Sequence, residues 1–370
     1  MATKKITLFT ITAFLFASMQ VIAQRISTPR NPSPAAEVTQ TIGISKVTIN
    51  YSRPAVRGRK IWGTQLAHNG YKNLGFGTAD AAPWRGGANE NTTITFSDNA
   101  TVEGKDIPAG TYGLFMGLHE DGKVDVIFSK NSTSWGSFFY NQDEDQLRVT
   151  VNSIENSPTE RLTYNFVDID KNSATVVLDW EKKRIPFKVL FNTDEIVLAN
   201  AKNELRNATG FGWQGFASAA QYCLNNSVAL EQGIEWAEQS IAMQKNFNNM
   251  NLKAQLLAKL GKDEEASSLM YDAIKEPTAT AFQIHAYGRQ LIAQGKKKKA
   301  LEIFQLNHQK FKGAWPTNYG LARGYSANGD YKKAIKYLNI ALTKVPANDN
   351  QNPSIIKANI KKLENGEDIN

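Results

Sequence analysis

The sequence predicts two domains of different class, an all-β antiparallel sandwich or barrel followed by an all-α array of helical hairpins. Three observations carry that reading. Between Val47 and Val189 apolar and polar residues alternate in short runs separated by turn residues, the period of a half-buried strand. From Glu195 onward the spacing becomes helical, with Ile196, Leu198, Ala199 and Leu205 on one stripe. Finally, Leu260-Gly261 with Ala266 returns as Gln294-Gly295 with Ala300 and again as Asn328-Gly329 with Ala334, each step 34 residues. A period of that length marks stacked helical hairpins, which bury little alone and usually present a surface to a partner.

Residues 1–23 have the build of a cleavable export signal: Lys4 and Lys5, an apolar run from Ile6 to Phe16, then Val21-Ile22-Ala23 ahead of Gln24. Thr7, Thr10, Thr12, Ser18 and Gln20 interrupt the run, which falls short of the ~20 residues of a spanning helix. Removal is therefore expected, with retention as an anchor the alternative, and the mature chain is expected in the periplasm or outside the cell. No later segment is apolar enough to span a bilayer. The single cysteine, Cys223, lies far from the cleavage site, so there is no lipid-attachment cysteine there and no disulfide within the chain. Residues 24–36, rich in Pro and Ser, read as a mobile lead-in.

At 370 residues with 41% hydrophobic and 21% charged side chains, the chain has the composition of folded domains and not of a disordered protein. The net charge of +8 is uneven: residues 24–199 carry 19 Lys+Arg against 20 Asp+Glu, and residues 200–370 carry 22 against 15. The basic excess belongs to the helical half. No aromatic-interleaved basic patch accompanies it, and nucleic acid is not an expected partner.

The β-domain is expected over residues 37–192. Val47, Ile49 and Tyr51 alternate first, then Ile94 and Phe96. Tyr112, Leu114, Met116 and Leu118 form a hairpin with Val124, Val126 and Phe128 through the turn at 119–122. Leu147 to Val151, Leu162 to Phe166, Ala174 to Trp180 and Ile185 to Val189 complete eight or nine short strands.

The helical domain is expected over residues 193–370. Gly233, Ala266, Ala300 and Ala334, spaced 33, 34 and 34, mark the small residue in the second helix of each hairpin. Ala273 and Ala341 take a second small position, and Pro277 and Pro346 close hairpins. Residues 210–347 resemble the tetratricopeptide pattern, with Gly233 standing for the alanine of the first unit and Asn307 for the later small residue of the third. Pro353 to Leu363 reads as the polar capping helix such arrays require. The resemblance implies a protein or peptide partner in the groove of the repeats.

The densest polar segment runs from Tyr51 to Gly63 and from Ala82 to Thr93. Arg53, Arg57, Arg59 and Arg85 lie close in sequence to Trp62 and Trp84, with His68, Asn89 and Glu90 in the same stretch. Such side chains bind carboxylates, phosphates or sugars by forked hydrogen bonds and stacking. The competing reading is that these arginines pair internally, with Glu90 among their partners, and hold a long loop over the mouth of the sandwich.

Here the chain resembles the bacterial domain-of-unknown-function family 2911 over about residues 36–190. The likeness rests on Tyr51-Ser-Arg-Pro, Gly58-Arg59, Ile61-Trp62-Gly63, Trp84-Arg85, Gly87-Ala88-Asn89-Glu90, Thr92-Thr93, and Gly104-Lys105 with Pro108 to Tyr112. It implies an exported protein carrying helical repeats behind the domain. Asn69 to Pro83 is longer and more irregular than the Pro-Tyr-Gly turn usual there.

His68, His119, His285 and His308 are scattered with no helical i,i+4 pair, so no metal and no other cofactor is expected. Gly75-Phe-Gly77 lacks the strand-to-helix setting of a phosphate cradle. The expected function is a non-enzymatic binding protein of the envelope, its β-domain taking a small polar or glycan ligand. The alternative is a hydrolase or transferase using Glu90 as acid or base beside Arg85, with Asp80 the nearest second carboxylate.

Overall fold

The computed structural model describes residues 32–312 and 314–370; the expected signal peptide and the start of the expected lead-in lie outside them. Contacts divide the chain into two units between Val197 and Leu198.

The first unit is a sandwich of two open antiparallel sheets, not a closed barrel. Strands β1 (Ala35–Ile42), β2 (Ser45–Ser52), β3 (Thr93–Phe96), β6 (Gly110–Leu118), β7 (Lys123–Ser129) and β8 (Asp145–Asn152) form one sheet in that order. The other runs β5 (Lys105–Ile107), β4 (Ala100–Val102), β10 (Ser173–Phe191), β9 (Ile154–Val167). Between them pack the inward residues of each strand, among them Val47, Ile49, Ile94, Phe96, Leu114, Met116, Phe128, Tyr164, Leu178 and Phe187. That burial is the dominant stabilising term.

Three features depart from the sequence reading. Strand β1 begins inside the expected lead-in, at Ala35, and β4 and β5 are too short to show a period. The two runs ending in Trp180 and Val189 are one strand of 19 residues. Its register shifts on either side of Glu181, whose φ is +54, and Arg184 forks onto Asp179 across the irregularity through two 2.7 Å bonds. A β-bulge absorbs the polar break that looked like a turn.

Strand β6 is buried on both faces. Leu114, Met116 and Leu118 face the sandwich core, while Phe115 joins Ile127, Ala79, Ala82 and Tyr140 in a second cluster under the loops outside the sheet. Tyr71, Asp125, Arg148, Tyr140 and Asp145 bond in a chain over that cluster, with Tyr71 donating to Asp125 at 2.7 Å and Arg148 to the hydroxyls of Tyr71 (3.0 Å) and Tyr140 (2.7 Å). These bonds hold the loops that form the cleft described below.

The second unit begins within helix α1 (Thr193–Glu204) and contains α2 (Trp213–Asn226), α3 (Leu230–Met243), α4 (Phe247–Lys259), α5 (Asp263–Ala273), α6 (Ala281–Ala293), α7 (Lys297–Lys310), α8 (Trp315–Ala327), α9 (Tyr331–Leu342) and α10 (Asn352–Glu364). Consecutive helices pair into hairpins, α2 with α3, α4 with α5, α6 with α7 and α8 with α9, and α10 packs on α9. The repeated glycines Gly261, Gly295 and Gly329 have φ of +78, +75 and +82, with open space where a Cβ would be. Each is there for its backbone, turning the chain into the second helix.

The two departures from the small-residue pattern have local causes. At Gly233 a Cβ would lie 2.8 Å from the Cβ of Cys223, so this crossing is closer than alanine allows. Asn307 is fully buried and donates from Nδ2 to the carbonyl of Ala281 at 2.9 Å, tying α7 to the start of α6.

Candidate functional site

The 40-residue connection from β2 to β3 is pinned along its length. Ala55 bridges to Arg161 of β9, Asn69 to Leu118, Lys72 to Ala82, and Trp84 exchanges two backbone bonds with Met116. A long loop made this way positions side chains as firmly as a strand does.

The nine residues singled out by sequence divide into two groups. Arg53 donates to the Leu162 carbonyl (3.1 Å) and the Thr163 hydroxyl (2.6 Å), and Arg59 to the carbonyls of Val56 (3.0 Å) and Ala55 (2.5 Å). Arg57 is an exposed turn residue with φ +50 whose N–H is accepted by Glu160. Arg53 and the Arg57 backbone thus hold the loop to β9, and Arg59 braces the loop on itself. Trp84 is a core residue that stacks on Trp180 at 5.9 Å, and Trp62, partly buried against that core, meets both edge-on. Neither is the exposed stacking platform that their place in a loop suggested.

His68, Trp84, Arg85 and Asn89 do converge. They line a cleft of about 1000 Å³ together with Thr64, Gln65, Leu66, Lys72, Asn73, Ser137 and Phe138. Glu90 is half-buried on the same turn and is not part of that lining. His68 is buried, and its Nε2 lies 3.0 Å from the Ala82 carbonyl; because a carbonyl only accepts, that nitrogen carries the proton. Burial, with Lys72 and Arg85 nearby, pushes the His68 pKa below its ordinary value, so the ring is neutral at pH 7.

Arg85 donates to the Asn89 carbonyl at 2.7 Å and lies 5.0 Å from the Phe138 ring. Burial lowers its pKa. Asn89, at φ +63, donates to the Ser33 carbonyl and the Ser52 hydroxyl. Sequence reasoning missed Lys72, Gln65, Asn73, Ser137 and Phe138. The run Ser134-Trp-Gly-Ser-Phe-Phe-Tyr140, dense in aromatic and small residues, was the available signal.

Residues 33–189 match the family model of DUF2911, a protein family of unknown function. The resemblance read from Tyr51 to Tyr112 is therefore correct. The site residues above all lie within the matched residues. No curated protein matches the chain. Solved structures similar to the helical region include the C-terminal part of a TPR repeat-containing protein from Cytophaga hutchinsonii, at 14% identity over 46% of this chain and 70% of that one, TM-score 0.35. YrrB, described as a TPR protein with an unusual peptide-binding site, matches at 17% identity over 44% of this chain and 83% of that one, TM-score 0.31. MamA from Desulfovibrio magneticus RS-1 matches at 16% identity over 42% and 90%, TM-score 0.29.

In the array the first helices of neighbouring hairpins pack directly, α2 on α4 and α6 on α8, with no comparable packing between second helices. Where α6 meets α8, Phe282 of α6 packs on Trp315 of α8, and His285 stacks on Tyr319, whose ring lies 5.0 Å from the Arg323 guanidinium. Among the described residues no helix is long and apolar enough to cross a membrane, and no cluster of three or more His, Cys, Asp or Glu is placed to hold a metal ion.

Burial, reinforced by Arg323 and Arg289, lowers the His285 pKa from 6.5 to about 4. The folded array resists protonation there while the unfolded chain accepts it, so the unfolded state binds more protons between these values. Stability is accordingly lost as pH falls from about 6.5 towards 4, by up to about 3 kcal/mol. Urea unfolding followed by helical circular dichroism at pH 7 and pH 4.5 should show a smaller acid loss for His285→Phe than for the parent. Equal losses would mean that His285 does not contribute.

Proposed function

We propose that the chain is an exported, non-enzymatic binding protein of the cell envelope, whose DUF2911 domain takes a small polar or glycan ligand and whose array docks a peptide or protein along the first helices. The cleft carries this reading. Cation, amide, hydroxyl and aromatic groups from two loops converge on a concavity at the upper end of the usual ligand-site range. The hydrolase alternative needs a carboxylate in the cleft, and Glu90 and Asp80 both lie outside its lining. For the array, the support is the aromatic seam of Phe282, Trp315 and Tyr319, with Phe282 62% exposed. Aromatic and arginine anchors of this kind dominate docking surfaces.

Docking is tested by a photo-reactive benzoylphenylalanine replacing Phe282 or, on the second helix α9, the exposed Lys336, in the producing cells. A discrete adduct from position 282 and none from 336 is expected. Identical patterns, or none, would remove the docking face. Amino-terminal sequencing of the same protein should begin at Gln24; a retained Met1 would remove the cleaved leader.

A further inference from the structure

Arg85 carries more than the binding reading uses. Its guanidinium lies against Gly136, where an added Cβ would sit 2.4 Å from Cζ, and beside the Phe138 ring at 5.0 Å. One N–H is used on the Asn89 carbonyl, a neutral acceptor. No carboxylate forms an ion pair with Arg85 among the described residues, and Asp80, in the same loop, accepts from Asn73. A cation drawn partly out of water without a counter-charge is costly. The rest of the fork has no acceptor among the described residues and is not sealed in, because Arg85 lines the cleft and none of its nitrogens is buried without a partner. Lys72 adds a second positive charge, and the lining contains no Asp or Glu.

We propose that the cleft takes an anionic group, the carboxylate of an acidic saccharide, which rests on the reading that the cleft binds a ligand. The guanidinium edge matches a carboxylate in two parallel bonds, and Lys72 supplies a point charge beside it. Gln65 offers an amide that both donates to and accepts from sugar hydroxyls, and Asn73 keeps its second N–H and second lone pair beyond its bonds to Asp80 and Gly75. Phe76, 67% exposed, meets the lining ring of Phe138 edge-on at 5.5 Å and that of Phe139, 39% exposed, at 6.1 Å. Such rings cover the apolar face of a pyranose. A phosphate would satisfy Arg85 and Lys72 while leaving amides and aromatics unused.

Calorimetric titration of the full chain at low salt compares trigalacturonate, neutral galactotriose and inorganic phosphate. Trigalacturonate is expected to bind at least tenfold more tightly than either. Arg85→Gln, which can still donate to the Asn89 carbonyl, should weaken it at least tenfold, and Lys72→Glu, at an exposed side chain that folding does not require, should do the same. Lys188→Gln, outside the cleft, should leave it unchanged. Equal binding of the acidic and neutral sugars overturns the anion site and leaves the cleft as a ligand site. Phosphate binding as tightly as trigalacturonate, and lost with Arg85→Gln, overturns the saccharide. No binding of any of the three overturns the cleft reading with it.

Discussion

Trp180→Ala is expected to lower the stability of the β-sandwich by about 3–5 kcal/mol. The ring is 1% exposed. It stacks on Trp84 at 11° and meets Trp62 at 74°, so its loss opens a cavity and leaves two aromatic rings unsupported. Sheets on both sides are too rigid to close the gap, since β10 is fixed there by the Arg184–Asp179 fork. Trp180→Phe should cost less than about 1.5 kcal/mol. Its smaller ring gives up contact area, but the indole N–H of Trp180 is buried without an acceptor, and removing an orphan donor offsets part of the loss. Denaturant unfolding read by near-ultraviolet circular dichroism checks both. An alanine variant within 1 kcal/mol of the parent would show that the three rings do not support one another.

The same cluster shows which parts of the molecule a linear reading reaches. Trp62 and Trp84 sit in a segment without periodicity, so nothing local marks them as packing on the core. Their partner, Trp180, is about a hundred positions away in sequence, and only the pairing of Trp84 with Met116 and the run of β10 bring the rings together. The bonds of Arg53 and Arg59 within the domain are hidden from a linear reading for a related reason. A guanidinium is satisfied as well by backbone carbonyls, here those of Leu162, Val56 and Ala55, as by a ligand, and residue spacing does not distinguish the two. Arg85 stands out in the sequence because a long loop over a sandwich mouth carries function more often than packing, and its side chain lines the cleft. The hairpins were legible because their demand is local and repeated: Gly261, Gly295 and Gly329 meet the same backbone requirement three times.

Phe304→Ala is expected to cost the array about 3–5 kcal/mol, and the reason is a socket built from glycines. Phe304 of α7 is fully buried. A Cβ at Gly288 of α6 would lie 2.5 Å from its ring, one at Gly320 of α8 2.7 Å, and one at Gly324 2.9 Å. Glycine inside a helix costs roughly 0.5–1 kcal/mol relative to alanine. Three of them on two helices are a sacrifice of helix propensity that the buried ring offsets. The socket therefore makes the sign of a second substitution depend on the first. In the parent protein Gly320→Ala should destabilise by about 1–3 kcal/mol, because the new methyl group meets the ring of a side chain with no room to move. In the Phe304→Ala background the ring is gone, the methyl group fills part of the cavity, and alanine restores helix propensity, so the same change should stabilise. Urea unfolding of the four proteins, followed at the helical circular dichroism band, gives the coupling directly. Additive effects would show that α6 and α8 can separate to admit a methyl group, and that Phe304 is not what holds them at this distance.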